Sequence, residues 1–396
     1  MNKQIARRQL LKSGLLSLGA LASFPYLGLG ARPGQDIPLD EDGHIYRSPM
    51  VREILPEWQP DMPALLARLN SNENPYGPSA VARQAVLDTV QQGNRYAWKE
   101  SVDLANKIAL KEGVKPECIM MGAGSTDLLE KVAMLQFMKG GNIISADPTF
   151  MSIVTTAEAV GAQWKSVPCK ADWSHDLKAM EAAIDGNTKL VYICNPNNPT
   201  GAVTKADELL DFCSRVSARV PVFVDEAYME LVEGNATKSM IELINQGKNI
   251  IIARTFSKIM GLAGLRVGYV VAQPAFIAAL GKITFGGLDI AYTSIFAAKA
   301  SMDDMAFQSM TKEKNNANKK WLCEKLTAMS YKDYIPSYTN FVIFPIKMKG
   351  KDFLDAMMAK GVGIRVFEVQ KKPWCRVSLG TADELKLFVD ALQALS

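Results

Sequence analysis

Histidine is scarce: His44 and His175 are the only two in 396 residues, both in polar, loop-like surroundings. That scarcity argues against a Ser-His-Asp hydrolase and against a histidine-rich metal centre, since each needs an imidazole held beside a partner. Cysteine pairing is missing too. The six cysteines, Cys118, Cys169, Cys194, Cys213, Cys323 and Cys375, form no CxxC pair and no metal-ligand spacing, and most read as small core residues. Charge of one sign is likewise lacking. The formal net charge is +4, and Lys3, Arg7, Arg8 and Lys12 stand in a first stretch of thirty residues that holds no acid. The remainder is close to neutral, which offers no electrostatic case for nucleic acid or an anionic membrane. Long apolar runs are absent as well. The N-terminal Leu/Gly/Ala/Ser stretch is interrupted by Gly14, Gly19, Pro25 and Gly28, so it is a poor permanent span, for which about 20 apolar residues are needed.

What that stretch does contain is an export address. Ala6-Arg7-Arg8-Gln9-Leu10-Leu11-Lys12 carries the paired arginines, apolar pair and lysine of a twin-arginine signal, and Gly28-Leu29-Gly30 supplies small residues for cleavage near Ala31. Residues 1–30 are therefore set aside as a signal peptide. The expectation is passage through the twin-arginine export machinery, folded, to the periplasm.

The rest has an ordinary globular composition, 48% hydrophobic and 22% charged overall, with enough length for a large core. After a Pro-rich connector from Arg32 to Pro63, strand-like apolar runs alternate with helix-like segments. The strands are expected at Cys118–Met121, Asn142–Ala146, Leu190–Cys194, Val220–Asp225, Ile250–Arg254 and Val267–Ala272, with amphipathic stretches such as Ser125–Phe137 and Ala206–Ser217 between them. Such alternation predicts an α/β fold with a mostly parallel sheet covered by helices. A helical region from about Ser294 to Met329 follows, and Phe341–Phe344, Gly363–Val366 and Cys375–Leu379 predict a second, smaller sheet. The expected division is an N-terminal arm and part of a small domain at 32–77, a large domain at 78–290, and the C-terminal small domain at 291–396.

The most informative stretch is Thr255-Phe256-Ser257-Lys258, followed by Arg266. Lys258 falls in a loop between two predicted strands. The hydroxyls of Thr255 and Ser257 and the planar fork of Arg266 suit a phosphate, and an amine beside a bound phosphate ester is placed to form a Schiff base. Gly122-Ala123-Gly124-Ser125-Thr126 follows a strand and opens a helix, an anion site by geometry. Asn195-Pro196-Asn197-Asn198-Pro199-Thr200-Gly201 closes another strand and can hold an amide rigidly. Val222-Phe223-Val224-Asp225 runs a buried strand into a carboxylate, which is costly unless a cation meets it.

Taken together and in order, from about Leu69 to Gly380, these motifs resemble those of fold-type I pyridoxal 5'-phosphate (PLP) enzymes, specifically class I/II aminotransferases. They are most similar to the histidinol-phosphate aminotransferase-like branch. The resemblance implies PLP as cofactor, with Lys258 as Schiff-base lysine and proton shuttle, Asp225 as partner of the pyridine nitrogen, and Asn198 and Tyr228 as donors to the phenolic oxygen. It assigns the cofactor phosphate to Gly124, Ser125, Thr126, Thr255, Ser257 and Arg266. Phe150 becomes the ring that stacks on the pyridine, where the branch more often has tyrosine. The segment Leu69–Pro78 resembles the entrance segment, with Asn72 facing the substrate and Tyr76 reaching the cofactor phosphate of a neighbouring subunit, which implies a homodimer with shared active sites. Arg376 matches the arginine that grips the substrate α-carboxylate. Arg365 matches a second arginine that helps bind a substrate phosphate in histidinol-phosphate enzymes, but the stretch Val366–Cys375 is short, and a distal carboxylate or another anionic side chain suits it equally.

The activity so implied moves an amino group between an α-amino acid, or a histidinol phosphate-like amine, and a 2-oxo acid. Racemisation, decarboxylation or elimination at Cα stays open on the same scaffold, because fold and cofactor do not choose which bond breaks. An exported binding protein without catalysis is the remaining alternative. It has no use for Lys258, Asp225, Asn198, Tyr228 and Arg266 together.

Overall fold

The computed structural model describes residues 45–46, 48–56 and 64–395. The expected signal at 1–30 and His44 lie outside the described residues. Among the described residues no helix is long and apolar enough to cross a membrane, and no group of three or more His, Cys, Asp or Glu is arranged to hold a metal ion.

The apolar runs pair into a seven-stranded sheet in the order Ile119–Gly122, Gly268–Val271, Ile250–Thr255, Val222–Asp225, Thr188–Cys194, Asn142–Asp147, Gln163–Pro168. All neighbours are parallel except Gly268–Val271, which runs antiparallel to both of its partners. Residues such as Val191, Val222, Ile250 and Ile252 are fully buried because helices cover both faces, as a continuous apolar strand requires. Ala206–Val216 is one covering helix, turning Leu209, Phe212, Cys213 and Val216 inward. Ser125–Phe137 is another, burying Leu128, Leu129, Val132 and Phe137 on the opposite face. Gln163–Pro168 escaped the sequence reading because it is an edge strand with mostly half-exposed residues, so it lacks a continuous apolar signal.

A second, five-stranded sheet has the order Ile45–Tyr46, Val51–Ile54, Arg365–Val369, Lys372–Ser378, Phe341–Pro345, antiparallel throughout. The stretch read as a connector thus contributes strands of its own. Arg365–Val369 and Lys372–Ser378 form a hairpin whose two turn residues, Gln370 and Lys371, both adopt positive φ (51° and 63°), the twist that a two-residue hairpin turn demands. Alternation sorts the two faces. Ile54, Val342, Phe344, Val366, Cys375 and Val377 pack on the helices beneath, including Phe353 and Phe388. Val51, Ile343, Phe367 and Trp374 point the other way.

The sequence expectation needs correction in two places. Gly363–Val366 is not one strand: Val362–Gly363 pairs parallel with Ala67–Arg68, whereas Arg365 begins the antiparallel hairpin. The chain changes partner at Gly363, where a Cβ would stand 2.8 Å from the Leu65 side chain. The region Ser294–Met329 is two helices, Tyr292–Asp303 and Met305–Ala328, broken at Asp304, whose carboxylate accepts from Phe307 N and caps the second.

Candidate active site

The site lies at the C-terminal ends of the parallel strands, where an α/β sheet offers its loops to a ligand. The strand Val222–Asp225 ends on Asp225, which is buried at the edge of the site. Its neighbour Thr188–Cys194 runs in register with it, Cys194 beside Asp225 and Tyr192 beside Phe223. Tyr192 and Asp225 therefore share a face, and the Tyr192 hydroxyl donates to Asp225 Oδ2 at 3.1 Å. Ala227 N donates to Oδ1 at 3.1 Å. Burial pushes the Asp225 carboxyl up to about 6, against the pull of these two donors and of Lys258. Tyr192 carried no motif, and only its register with the Asp225 strand could have revealed it.

Lys258 follows the strand Ile250–Thr255. Burial, helped by the nearby Arg376, lowers its ammonium to about 8, while Glu73 and Asp225 pull the other way. Its Nζ donates to Asn72 O at 3.0 Å and stands 5.3 Å from the centre of the Tyr228 ring. A narrow cleft opens beside it, lined by Tyr76, Leu231, Asn318 and Asn340 among others.

Asn72 is the hub between the two sheets. Its Nδ2 donates to Tyr228 Oη at 3.1 Å, and its Oδ1 accepts from Ser378 Oγ at 2.7 Å. Asn72 N donates to Ser378 Oγ at 2.8 Å, and Asn340 Nδ2 donates to Asn72 O at 2.9 Å. Its φ of 51° is one that asparagine tolerates better than most residues. Sequence reading passed over Ser378 and Asn340, which only the register of the small sheet brings here.

The glycine turn, Ser257 and Arg266 converge from separate strands. Gly124 (φ 90°) stands at the N-terminus of the helix Ser125–Phe137 with no side chain capping it, so the first-turn amides are left to another partner. Arg266 lies across this turn, donating from Nη2 to Ala123 O at 3.2 Å and from Nη1 to Ala263 O at 2.8 Å. Thr255 Oγ1 accepts from Ser257 N at 3.1 Å and donates to Ser257 Oγ at 3.0 Å. Gly268 is forced here, since a Cβ on it would stand 2.3 Å from Ser125 N.

From the small sheet, Arg376 enters opposite these groups. It is 4% exposed, its guanidinium carbon lies 5.2 Å from the Phe341 ring centre and 5.5 Å from that of Phe367, and its Nη1 donates to Asn198 Oδ1 at 2.7 Å. Burial, then the charge of Arg365, lowers it to about 10. Arg365 is its direct cross-strand partner. Phe150 packs half-buried on the cluster that contains Phe137 and Tyr192. The turn that carries Asn198 is tied to the loop before Phe150 by Asn197 Nδ2 donating to Pro148 O at 2.9 Å. Tyr76 Oη accepts from Asn318 Nδ2 at 3.1 Å, with Lys314 Nζ over its ring. His175 lies in a loop among polar groups, yet it is only 1% exposed, with Nδ1 2.7 Å from Thr204 Oγ1. Thr204 N in turn donates to Asn195 Oδ1 at 2.8 Å, so the histidine braces the Asn-Pro turn from behind. The six cysteines are all free.

These residues fit a phosphate ester of a protonated pyridine. The uncapped helix start, with Arg266 across it, is an anion cradle. Asp225 is a buried carboxylate met by neutral donors and awaiting a cation. Asn198, whose oxygen is engaged by Arg376, keeps its amide nitrogen to donate.

The comparisons agree. Residues 66–392 match the family described as aminotransferase class I and II. A histidinol-phosphate aminotransferase of Halalkalibacterium halodurans is 34% identical over 320 residues, 81% of this chain and 86% of that protein. One from Moorella thermoacetica is 35% identical over 336 residues, 83% of this chain and 85% of that protein. The crystal structure of histidinol-phosphate aminotransferase from Sinorhizobium meliloti in complex with pyridoxal-5'-phosphate superposes with a TM-score of 0.78 at 26% identity, covering 84% of this chain and 92% of that one. The chain belongs to the class I and II aminotransferases and is a PLP-dependent transaminase of fold type I.

Proposed function

We propose that this transaminase takes an α-amino acid as donor and a 2-oxo acid as acceptor, and that it works as a homodimer with shared active sites in the periplasm, after export by the twin-arginine machinery. The observation that carries the substrate reading is Arg376. It is a buried arginine whose guanidinium carbon lies near the Phe341 and Phe367 rings, with Asn198 Oδ1 accepting from Nη1 and Asn70 O from Nη2. A planar guanidinium so placed receives a carboxylate through paired donors and fixes the orientation of the substrate's Cα–H.

In this reading the Ser125 helix start, with Thr126, Thr255, Ser257 and Arg266, holds the cofactor phosphate. Asp225 would meet the pyridine nitrogen, Tyr228 and Asn198 the phenolic oxygen, and Phe150 a ring face. Pyridoxal phosphate, when bound, supplies the electron sink for negative charge developing at substrate Cα. Lys258, lowered to about 8, exchanges a proton readily near neutral pH. Its Nζ would take the α-proton of the bound donor and hold it for return on the same face. Asn72 and Tyr228 limit where that amine can swing. The names of the relatives put histidinol phosphate among the donors to be tested.

The homodimer reading is supported by exposed rings on neighbouring elements: Tyr96 at 78%, Trp98 at 67% and Phe285 at 81% exposure. Patches of this kind mark protein contacts. Tyr76, in the cleft with Lys258, is the residue assigned to the partner's cofactor phosphate. Export rests on the Arg7-Arg8 motif.

The test is a half-reaction screen of the holoenzyme against L- and D-amino acids and histidinol phosphate, read by the visible spectrum and by products. Release of a 2-oxo acid supports transamination and names the donor. Appearance of the opposite enantiomer, with solvent deuterium at Cα and no 2-oxo acid, sinks it in favour of racemisation. Sedimentation of the purified protein and of Trp98→Glu tests the dimer, and a monomeric wild type refutes it. Fractionation of cells with intact and Arg7→Lys/Arg8→Lys leaders tests export, and cytoplasmic retention of the intact protein refutes it.

A further inference from the structure

The small sheet brings a carboxylate to the substrate side of the site. Glu53, on the strand Val51–Ile54, lies opposite Phe367, and Arg365 lies opposite Arg376. Because opposed residues of an antiparallel pair project to one face, and i and i+2 along a strand do the same, Glu53, Arg365, Phe367 and Arg376 share the face turned toward Lys258. Glu53 Oε1 is 3.1 Å from Arg365 Nη1. Its side chain is 3% exposed against 27% for Arg365, so the carboxylate is the buried member of the pair. Phe367, opposite Glu53, contributes one of the rings over the Arg376 guanidinium.

We propose that Glu53 is a specificity-determining residue: by neutralising Arg365 it leaves Arg376 as the arginine offered to the substrate, so that the site selects donors with one carboxylate and an uncharged side chain over phosphorylated or dicarboxylic donors. The inference rests on the transaminase reading, with Arg376 at the α-carboxylate, and deepens it. Two arginines side by side on adjacent strands would suit a dianion or a pair of carboxylates. Here the second arginine is already answered by a carboxylate of the chain itself. A substrate phosphate that recruits Arg365 meets the buried Glu53 carboxylate already placed 3.1 Å from that guanidinium, and the like charges repel. Selectivity then comes from a repulsive element as much as an attractive one.

The experiment uses ligands without an amine, so that it is read whether or not any donor turns over. Holoenzyme, wild type and Glu53→Gln, is titrated with 3-phenylpropionate, succinate and ethyl phosphate, followed through the cofactor's visible absorbance and by calorimetry. Wild type is expected to bind the monocarboxylate about tenfold more tightly than either dianion, and Glu53→Gln to erase or invert that ratio. A wild type that favours the dianions, or a folded Glu53→Gln protein with the wild-type ratio, overturns the proposal. Should Glu53→Gln not fold, the double variant Glu53→Gln/Arg365→Gln removes the pair at constant charge. It is expected to keep the monocarboxylate preference within about threefold, and loss of that preference counts against the role assigned to Glu53. Failure of the donor screen with this selectivity intact sinks the transaminase reading instead.

Discussion

Arg376, on a strand of the small sheet, and Asn198, in the turn after the strand Thr188–Cys194 of the large one, are joined by a 2.7 Å hydrogen bond from the guanidinium to the amide oxygen. The bond does two things at once. It holds the guanidinium by Nη1, while Nη2 donates to Asn70 O at 3.3 Å, and it engages the oxygen of the amide rather than Nδ2. In the proposed reading, substrate binding and cofactor binding would be coupled through this one contact.

Replacing Asn198 by alanine is therefore expected to raise KM and to lower kcat together, rather than one alone. A hydrogen bond to a charged group contributes about 1.5–3 kcal/mol, so the loss in kcat/KM is expected at roughly tenfold to a hundredfold. Steady-state kinetics with saturating cofactor would measure it. A pure KM effect would mean that Asn198 serves Arg376 only.

Asp225 gives a pH signature. Its carboxyl is raised by burial from 3.8 to about 6, so in the cofactor-free protein the native state binds the proton more tightly than the unfolded chain does. The penalty for the charged form is fully present above about 6 and disappears as the pH falls toward 3.8. Asp225→Asn is thus expected to raise the melting temperature of the cofactor-free protein at pH 8 and to leave it nearly unchanged at pH 4. With cofactor bound the order reverses, and kcat is expected to fall by about a hundredfold or more. Melting curves of both forms at the two pH values decide it, and equal curves at pH 8 contradict a buried charged carboxylate.

Much of this was readable beforehand because the chemistry sits at strand ends. Asn142–Asp147, Thr188–Cys194, Val222–Asp225 and Ile250–Thr255 are dominated by apolar residues bounded by turn-formers, so period and punctuation located both the sheet and the loops that follow it. What could not be read was anything set by register between distant strands. Tyr192 reaches Asp225 only because their strands are neighbours in register. Ser378 and Asn340 converge on Asn72 across long separations. Glu53 sits in a stretch whose prolines read as connector, and its one cue was a carboxylate two residues after Val51 and next to Ile54. His175 appeared polar from its neighbours, yet the partner that buries it, Thr204, is far along the chain.

Lys258 carries the opposite sign to a stabilising cation. Its ammonium is lowered by burial from 10.5 to about 8, so the native state holds the proton less tightly than the unfolded chain. The penalty is present below about 8 and is relieved as the pH rises toward 10.5. Lys258→Ala is expected to stabilise the cofactor-free protein at pH 7, with the gain shrinking by pH 10, while abolishing the covalently held cofactor's absorbance and reducing turnover by about a thousandfold or more. Calorimetry across that pH range, beside the spectrum, separates the two effects. A variant that is less stable at pH 7 would show that Lys258 is held by attraction rather than strained by burial.

The anion cradle can be tested at Gly124 without touching a charged group. Its φ of 90° is strained for any L side chain, and a Cβ there would stand 2.2 Å from Arg266 Nη2, the far end of a flexible side chain. Alanine would therefore displace the guanidinium while leaving the backbone of the Ser125 helix in place. Overpacking and backbone strain together are expected to destabilise the protein by about 1–3 kcal/mol. Moving Arg266 off the turn is expected to weaken cofactor affinity by at least tenfold, with a smaller loss for pyridoxal lacking the phosphate. Gly268→Ala provides the contrast, because its Cβ would meet Ser125 N at 2.3 Å, a backbone atom that cannot swing aside. That variant is expected to lose stability more than Gly124→Ala. Dissociation constants for the cofactor with and without its phosphate, measured on the folded Gly124→Ala protein, settle the assignment. If both are weakened equally, Arg266 and the helix start do not bind the phosphate, and the cradle lies elsewhere in the site.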